Sequence, residues 1–104
     1  MKRGEVWWAH LSGPAAHRPV LLLTRNAAYP VRTSVTVAPL TTTIRDIPVE
    51  VRLGPKESLP RECVVNLDDI QTIRKARLVR PLTTLSPEVM KSVDRAVKYA
   101  LSLP

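Results

Sequence analysis

Proline is the residue that most limits how this chain can fold, because ten of its 104 residues are proline. Proline supplies no backbone N–H, so it interrupts helices and central strands and favours turns. Most of the prolines lie between short apolar segments, several of them rich in the valine, threonine and tryptophan typical of strands. The length suits one domain, covering residues 1–104. The pattern predicts a small, strand-rich fold.

The predicted strands are short and are separated by turn residues. Alternation is clearest where Val49, Val51 and Leu53 point inward and the residues between them point outward. Pro39 is expected to end the third strand or to place it at the edge of the sheet. A loop is expected over residues 12–17 and a helical turn over 74–77. The predicted strands cover residues 5–11, 19–24, 34–38, 49–53, 63–66, 70–73 and 78–82.

One helix is predicted, at the C-terminus. Ser86 is the predicted N-cap, Pro87 occupies the first helical position, and Glu88 complements the positive end of the helix dipole. Apolar residues recur at helical spacing and charged residues lie on the opposite face. The chain is therefore predicted to be a small sheet with a terminal helix. The apolar positions are Val89, Met90, Val93, Val97, Ala100 and Leu101.

The formal charge of +7 is unevenly distributed. Residues 1–56 contain eight Lys or Arg and three Asp or Glu, whereas residues 57–104 contain eight and six. A basic excess indicates an acidic partner such as nucleic acid. The sequence has no helix that combines a basic face with aromatic anchors, so binding to a membrane surface is not indicated. No signal peptide or membrane span is recognisable, and the single cysteine excludes an intramolecular disulfide, so a cytoplasmic location is expected.

The sequence gives little support for a metal site or for a nucleotide-binding site. His10 and His17 are seven positions apart, without paired cysteines or an HExxH motif. No phosphate-binding glycine loop is present. Cys63 lies in an apolar run, so it is predicted to be a small core residue, although a nucleophile remains an alternative.

Three features could carry chemistry. Arg18 stands between His17 and Pro19 at the entry of an apolar strand, so it projects from a rigid position. Residues 41–43 form a run of threonines at a strand end. Arginines and tryptophans surround these elements, and such side chains bind phosphates and stack on unpaired bases. The adjacent Trp7 and Trp8 must face opposite ways on a strand, so one of them is predicted to be buried.

Several blocks of the sequence resemble the MazF/PemK/Kid family. They are Arg3-Gly4-Glu5-Val6-Trp7, His17-Arg18-Pro19-Val20-Leu21, Val37-Ala38-Pro39-Leu40-Thr41-Thr42, Glu62-Cys63-Val64-Val65-Asn66-Leu67-Asp68, Ile70-Gln71-Thr72-Ile73 and Leu85-Ser86-Pro87. The blocks occur in family order across nearly the whole chain. The resemblance implies a mainly β fold, either a small SH3-like barrel or a twisted antiparallel sheet, with a C-terminal helix (CcdB/PemK-like).

The function that this resemblance implies is that of a type II toxin–antitoxin toxin. Such toxins are homodimers that cut single-stranded RNA at short sequences without a metal or other cofactor, and an acidic, MazE-like antitoxin blocks the site. The implied reaction is attack of a 2′-OH on the adjacent phosphorus, leaving a 2′,3′-cyclic phosphate or 3′-phosphate and a 5′-OH.

The family's catalytic arginine and threonine correspond to Arg18 and Thr41. His17 is a candidate for proton transfer, because histidine exchanges protons near neutral pH whereas a guanidinium is a poor base. The first loop, residues 12–17, is shorter than in many members, so the recognised RNA sequence cannot be transferred. The side chains predicted to contact RNA are Trp7, Arg25, Asn26, Arg32, Thr42, Thr43 and Arg45.

Two other functions compete with RNA cleavage. The first is inhibition of DNA gyrase by a CcdB-like toxin, but such relatives depend on an aromatic residue near the C-terminus. This chain ends Leu101-Ser102-Leu103-Pro104, which argues against that function. The second is a non-catalytic nucleic-acid-binding module, which basic charge and a small barrel would also suit.

Overall fold

Seven antiparallel strands and one C-terminal helix make up the fold, in a computed structural model that describes residues 1–12 and 16–104. Residues 13–15, in the predicted loop at 12–17, lie outside the described residues, so the predicted shortening of this loop stays a prediction. The elements are β1 (Glu5–His10), β2 (His17–Leu22), β3 (Ser34–Thr41), β4 (Glu50–Leu53), β5 (Cys63–Asn66), β6 (Gln71–Arg74), β7 (Leu78–Thr84) and α1 (Pro87–Ala100). Short 3₁₀ helices occur at Asn26–Ala28, Pro55–Glu57 and Lys75–Arg77.

The strands form one sheet in the order β4-β5-β3-β2-β1-β7, and β6 also pairs with β3. Within residues 1–12 and 16–104 the two ends of this order, β4 and β7, do not pair with each other, so the sheet is open. The predicted mainly β fold with a C-terminal helix is confirmed, in the form of an antiparallel sheet and not a closed barrel. In the described ranges no helix is long and apolar enough to cross a membrane.

β3 is the strand where the sequence prediction was wrong. It continues through Pro39 to Thr41 in the middle of the sheet, whereas Pro39 was expected to end the strand or force an edge. The backbone carbonyl of Thr36 accepts a hydrogen bond from the N–H of Leu23, just beyond β2. Every second residue of a strand directs its backbone groups at the same neighbour, so the nitrogen of Pro39, three residues on, points away from β2. On that far side, β6 pairing ends at Val37 and β5 pairing begins at Leu40. Pro39 therefore lies between the segments of β3 that pair with β6 and β5, and its missing N–H costs no ladder hydrogen bond.

Apolar residues fill both faces of the sheet. On one face, α1 places Val93 and Ala96 over a cluster that includes Leu21 and Val65. The smaller cluster on the other face includes Ala9, Val20, Leu22, Val37 and Ile73. Neighbouring residues of β2 therefore belong to opposite clusters, as strand alternation requires.

The helix begins as predicted. The Ser86 hydroxyl accepts a hydrogen bond from the backbone N–H of Val89 at 3.2 Å, which satisfies one of the free donors at the helix start. Arg3 joins the helix to the start of the sheet through an ion pair with Asp94 at 2.7 Å. Gly4 has a φ of 98°, a backbone conformation that glycine adopts without strain and other residues rarely adopt.

Candidate active site

Arg18 projects from the second position of β2 into a cleft of about 510 Å³. It lies opposite Ala9 in the β1–β2 register, on the face that also carries Val20 and Leu22. Among the described residues, no carboxylate lies within 4 Å of its guanidinium. Arg18 is thus a half-buried cation available to an anionic ligand. The other residues lining the cleft are Leu11, Ser12, Gln71, Thr72, Ile73, Arg74 and Arg77.

Thr41 ends β3 at the point where β2 and β3 separate. Their pairing runs from Leu22 and Val37 to Val20 and Pro39, and extending it by two residues places Arg18 opposite Thr41. The ladder stops because the next residue of β2, Pro19, has no N–H to donate to β3. Beyond this point β3 pairs on its other side with β5. The backbones of Arg18 and Thr41 are therefore neighbours at an opening in the sheet.

Thr41 also lines a second cavity, of about 300 Å³, which has no described lining residue in common with the Arg18 cleft. Its hydroxyl accepts a hydrogen bond from the backbone N–H of Thr43 at 3.1 Å. The predicted pair thus flanks the opening from two sides. The second cavity is mostly apolar, and its other lining residues are Trp8, Pro19, Leu40, Thr42, Leu59, Pro60, Arg61 and Cys63.

His17 does not share the cleft of Arg18. Adjacent residues on a strand face opposite ways, and the His17 ring stacks on Trp8 with their centroids 6.3 Å apart and their planes 12° apart. Its Nε2 lies 3.2 Å from Nδ1 of His10, within hydrogen-bond distance. Any proton transfer by His17 must therefore occur from the side of the sheet where Trp8 lies.

The two tryptophans are divided between the faces of the sheet. Trp7 packs against the cluster around Ala9, and its indole N–H donates to Glu5 at 2.9 Å. Trp8 instead lines the Thr41 cavity. The sequence analysis expected one of the two to be buried, but both are half-buried. It selected Trp7 as an RNA contact, which stays a prediction, and Trp8 is a second candidate because it lines the Thr41 cavity. Strand alternation was the available signal, but it did not say which of the two faced the site.

The remaining predicted RNA contacts fall into two groups. Arg25, Asn26 and Arg32 lie beyond the far end of β2, at least ~13 Å along the strand from Arg18. Within one protomer the structure does not bring them to the opening. Thr42 and Thr43 directly follow Thr41 and are exposed. Arg45 lies two residues after Thr43 in the same segment, and its guanidinium pairs with a carboxylate.

That carboxylate belongs to Glu50, which holds the segment after Thr41 against β4. One oxygen of Glu50 accepts the backbone N–H groups of Arg45 at 2.9 Å and Asp46 at 3.0 Å, and the other lies 3.2 Å from Nε of Arg45. Partial desolvation acts to raise the pKa of Glu50. The hydrogen bonds from Arg45 and Asp46 and the charge of Arg45 outweigh it, so the pKa lies below its usual value.

Replacing Glu50 with glutamine should destabilise the protein at pH 7 but not in acid. A carboxyl whose pKa is lower in the folded state contributes stability above its unfolded pKa, and this contribution disappears as pH falls through the folded value. We expect urea unfolding curves of Glu50→Gln and the unchanged protein to differ at pH 7 and to converge below the folded pKa of Glu50. A difference that stays constant across this range would contradict the assignment.

Cys63 is a core residue, as predicted. It is 7% exposed, and burial, together with the negative charge of Glu57, raises the pKa of its thiol. A protonated, buried thiol is a poor nucleophile, which removes the cysteine alternative. In residues 1–12 and 16–104, no three His, Cys, Asp or Glu side chains group together as metal ligands would.

Three groups at the site escaped the sequence analysis. Arg74 and Arg77 line the same cleft as Arg18, and Gln71 lies between them and the opening. The signal was present as three basic residues within positions 74–77, directly after a predicted strand. It was not used because pairing of β6 with β3, which brings this segment beside Arg18, is a long-range contact.

Comparison with known proteins places this geometry in a family. Residues 2–101 match the model of the PemK-like, MazF-like toxin of type II toxin-antitoxin system. The probable endoribonuclease MazF5 of Mycobacterium tuberculosis is 40% identical over 100 residues, which are 95% of this chain and 91% of that protein.

Solved structures agree. The Mycobacterium tuberculosis toxin MazF-mt6 superposes with a TM-score of 0.89 at 35% identity, covering 96% of this chain and 98% of that one. An endoribonuclease in complex with its cognate antitoxin, from a mycobacterial species, gives a TM-score of 0.88 at 33% identity and covers 100% and 97%. Sequence blocks, fold and coverage of nearly the whole length agree, and the chain belongs to the PemK-like, MazF-like family of type II toxin–antitoxin toxins.

Proposed function

We propose that this protein is the toxin of a type II toxin–antitoxin module and acts, as one domain in the cytoplasm, as a sequence-specific, metal-independent endoribonuclease on single-stranded RNA. The observation that carries the proposal is the opening between β2 and β3, where an arginine without a carboxylate partner among the described residues flanks a threonine. The relatives named endoribonuclease support the same reaction.

The proposed reaction is in-line transesterification. The 2′-oxygen forms a bond to the adjacent phosphorus while the bond from phosphorus to the 5′-oxygen breaks, giving a 2′,3′-cyclic phosphate and a 5′-OH. The 2′-OH proton leaves to a base, and the departing 5′-oxygen gains a proton. Arg18 stabilises the charge that develops on the phosphorane, and the Thr41 hydroxyl donates to a non-bridging oxygen.

The surroundings of the two residues suggest how RNA is placed. The scissile phosphate occupies the opening between Arg18 and Thr41. The apolar cavity beside Thr41 offers the Trp8 ring to one base, since aromatic faces stack with unpaired bases of any identity. His17, stacked on the same ring, is the candidate proton-transfer group on that side.

A homodimer and an acidic antitoxin complete the proposal. A solved relative is an endoribonuclease in complex with its cognate antitoxin. A basic cleft that accepts RNA also attracts an acidic, extended peptide, which would then block the site.

The test is cleavage of single-stranded RNA in the presence of EDTA, with sequencing of the new ends. We expect cuts at a short recurring sequence, with 5′-OH ends and a cyclic or terminal phosphate on the other fragment. Salt-sensitive binding that leaves the RNA intact would instead identify a non-catalytic binding module.

A gyrase inhibitor is not favoured, because the relatives described above include proteins named endoribonuclease. Inhibition of DNA supercoiling by the protein, without RNA cleavage, would reverse this choice.

A further inference from the structure

The Arg18 cleft extends well beyond the opening. In the β3–β6 register Gln71 lies opposite Val37, and Arg74 lies three residues further along β6, about 10 Å away. Arg77 closes the other side, where its Nη1 donates to the backbone carbonyl of His10 at 3.3 Å. This bond uses one of five guanidinium donors, so the others are available to a ligand.

The charges around the cleft are all positive. Its lining includes Arg18, Arg74 and Arg77 and no aspartate or glutamate. Among the described residues none of these three arginines has a carboxylate within 4 Å, whereas Arg3, Arg45 and Arg52 are each paired. Like charges gathered around one cleft repel one another, and a bound polyanion would relieve that repulsion.

We infer that Arg74 and Arg77 form a second phosphate-binding site, which holds the RNA backbone at a phosphate other than the one cleaved. The inference rests on the proposed function and adds two substrate-binding residues to it. In this arrangement the backbone follows β6 from the opening towards Arg74, and Arg18 binds the scissile phosphate at one end of the cleft. Gln71 and Thr72 supply hydrogen-bonding groups for ribose hydroxyls between the two phosphates.

The lining favours RNA over an acidic peptide. Of the eight described residues that line the cleft, six are polar or charged, and two, Leu11 and Ile73, are apolar. Planar guanidinium groups match phosphate oxygens with paired hydrogen bonds. Ser12, Gln71 and Thr72 add neutral donors and acceptors suited to 2′-hydroxyl groups.

The experiment measures binding of an RNA made non-cleavable by one 2′-deoxy nucleotide at the mapped cleavage site, by fluorescence anisotropy over a series of salt concentrations. Arg74→Ala should raise Kd about 10-fold, because it removes a charged hydrogen-bonding partner of phosphate. It should also reduce the slope of log K against log salt by about 0.7, the value for one phosphate contact on a single strand. Arg74→Glu should weaken binding further.

The matched control is Arg95→Ala, which removes the same charge from the exposed side of α1, where Arg95 donates only to Ser92. Its Kd and salt slope should equal those of the unchanged protein. Both arginines are exposed, so neither substitution removes core packing, and circular dichroism verifies that each variant is folded.

Two results would overturn the inference. The first is an Arg74→Ala protein that binds RNA with the Kd and salt slope of the unchanged protein. The second is an Arg74→Ala protein that loses affinity for polyglutamate but not for RNA, which would assign the cleft to an acidic protein segment. Failure of the unchanged protein to cleave RNA would refute the proposed function instead, and the binding measurement does not depend on cleavage.

Discussion

Replacing Arg18 with alanine should lower the rate of RNA cleavage at least ~100-fold, the range seen when one group that stabilises a developing negative charge is removed. Arg18 lacks a carboxylate partner among the described residues, so its full charge is available to the phosphorane. The substitution removes no buried ion pair, and the fold should be retained. Single-turnover cleavage of an RNA oligonucleotide carrying the mapped site measures the rate directly.

Arg18→Lys and Arg95→Ala serve as the controls for this result. Lysine keeps the charge but offers no paired donors, so it should recover only part of the lost rate. Arg95→Ala removes one positive charge from a residue of α1 that is not among the residues lining the Arg18 cleft or the Thr41 cavity, and it should cleave like the unchanged protein. Equal cleavage by Arg18→Ala and the unchanged protein would remove Arg18 from the mechanism.

Replacing Leu21 with alanine should lower the free energy of unfolding by about 2–5 kcal/mol. Leu21 is 0% exposed and lies in β2 between Val6 of β1 and Ala38 of β3, within the larger apolar cluster. The loss combines the transfer of apolar atoms with the cavity left behind. Small domains have a total stability of only about 5–15 kcal/mol, so the unfolded fraction should rise markedly.

Urea unfolding followed by circular dichroism measures this effect, and the midpoint should fall while the slope m stays constant. Leu103→Ala is the matched control, because Leu103 is 52% exposed at the C-terminus. Its stability should change by no more than about 0.5 kcal/mol. A loss below about 1 kcal/mol for Leu21→Ala would show that the core rearranges to fill the space.

Local signals were sufficient to predict much of the fold. Ser86 caps the helix as expected, because the cap depends on residues three positions apart. The alternation around Val51 and the short strand at Cys63–Asn66 were also predicted, since strand periodicity is a local property. Pro39 was predicted wrongly because its effect depends on which neighbouring strand its nitrogen faces, and no local pattern contains that information.

The site was predicted less completely than the fold. The resemblance selected Arg18 and Thr41, and the β2–β3 register makes their backbones neighbours. His17 was selected from the acid–base chemistry of histidine and not from the resemblance, and strand alternation turns it to the opposite face from Arg18. Arg74 and Arg77 reach the cleft only through pairing of β6 with β3, between residues more than thirty positions apart in sequence. Long-range pairing of this kind is what sequence periodicity alone does not reveal.

Pro19 has no backbone N–H, and this also affects the free energy of substrate binding. Two antiparallel strands normally have to break ladder hydrogen bonds before anything can enter between them, and each broken bond subtracts from affinity. Here Pro19 lacks one of the ladder donors, and the pairing of β2 with β3 already ends at Val20 and Pro39 in the unbound protein. RNA therefore binds a preorganised site, and its binding free energy is available for orienting the phosphate.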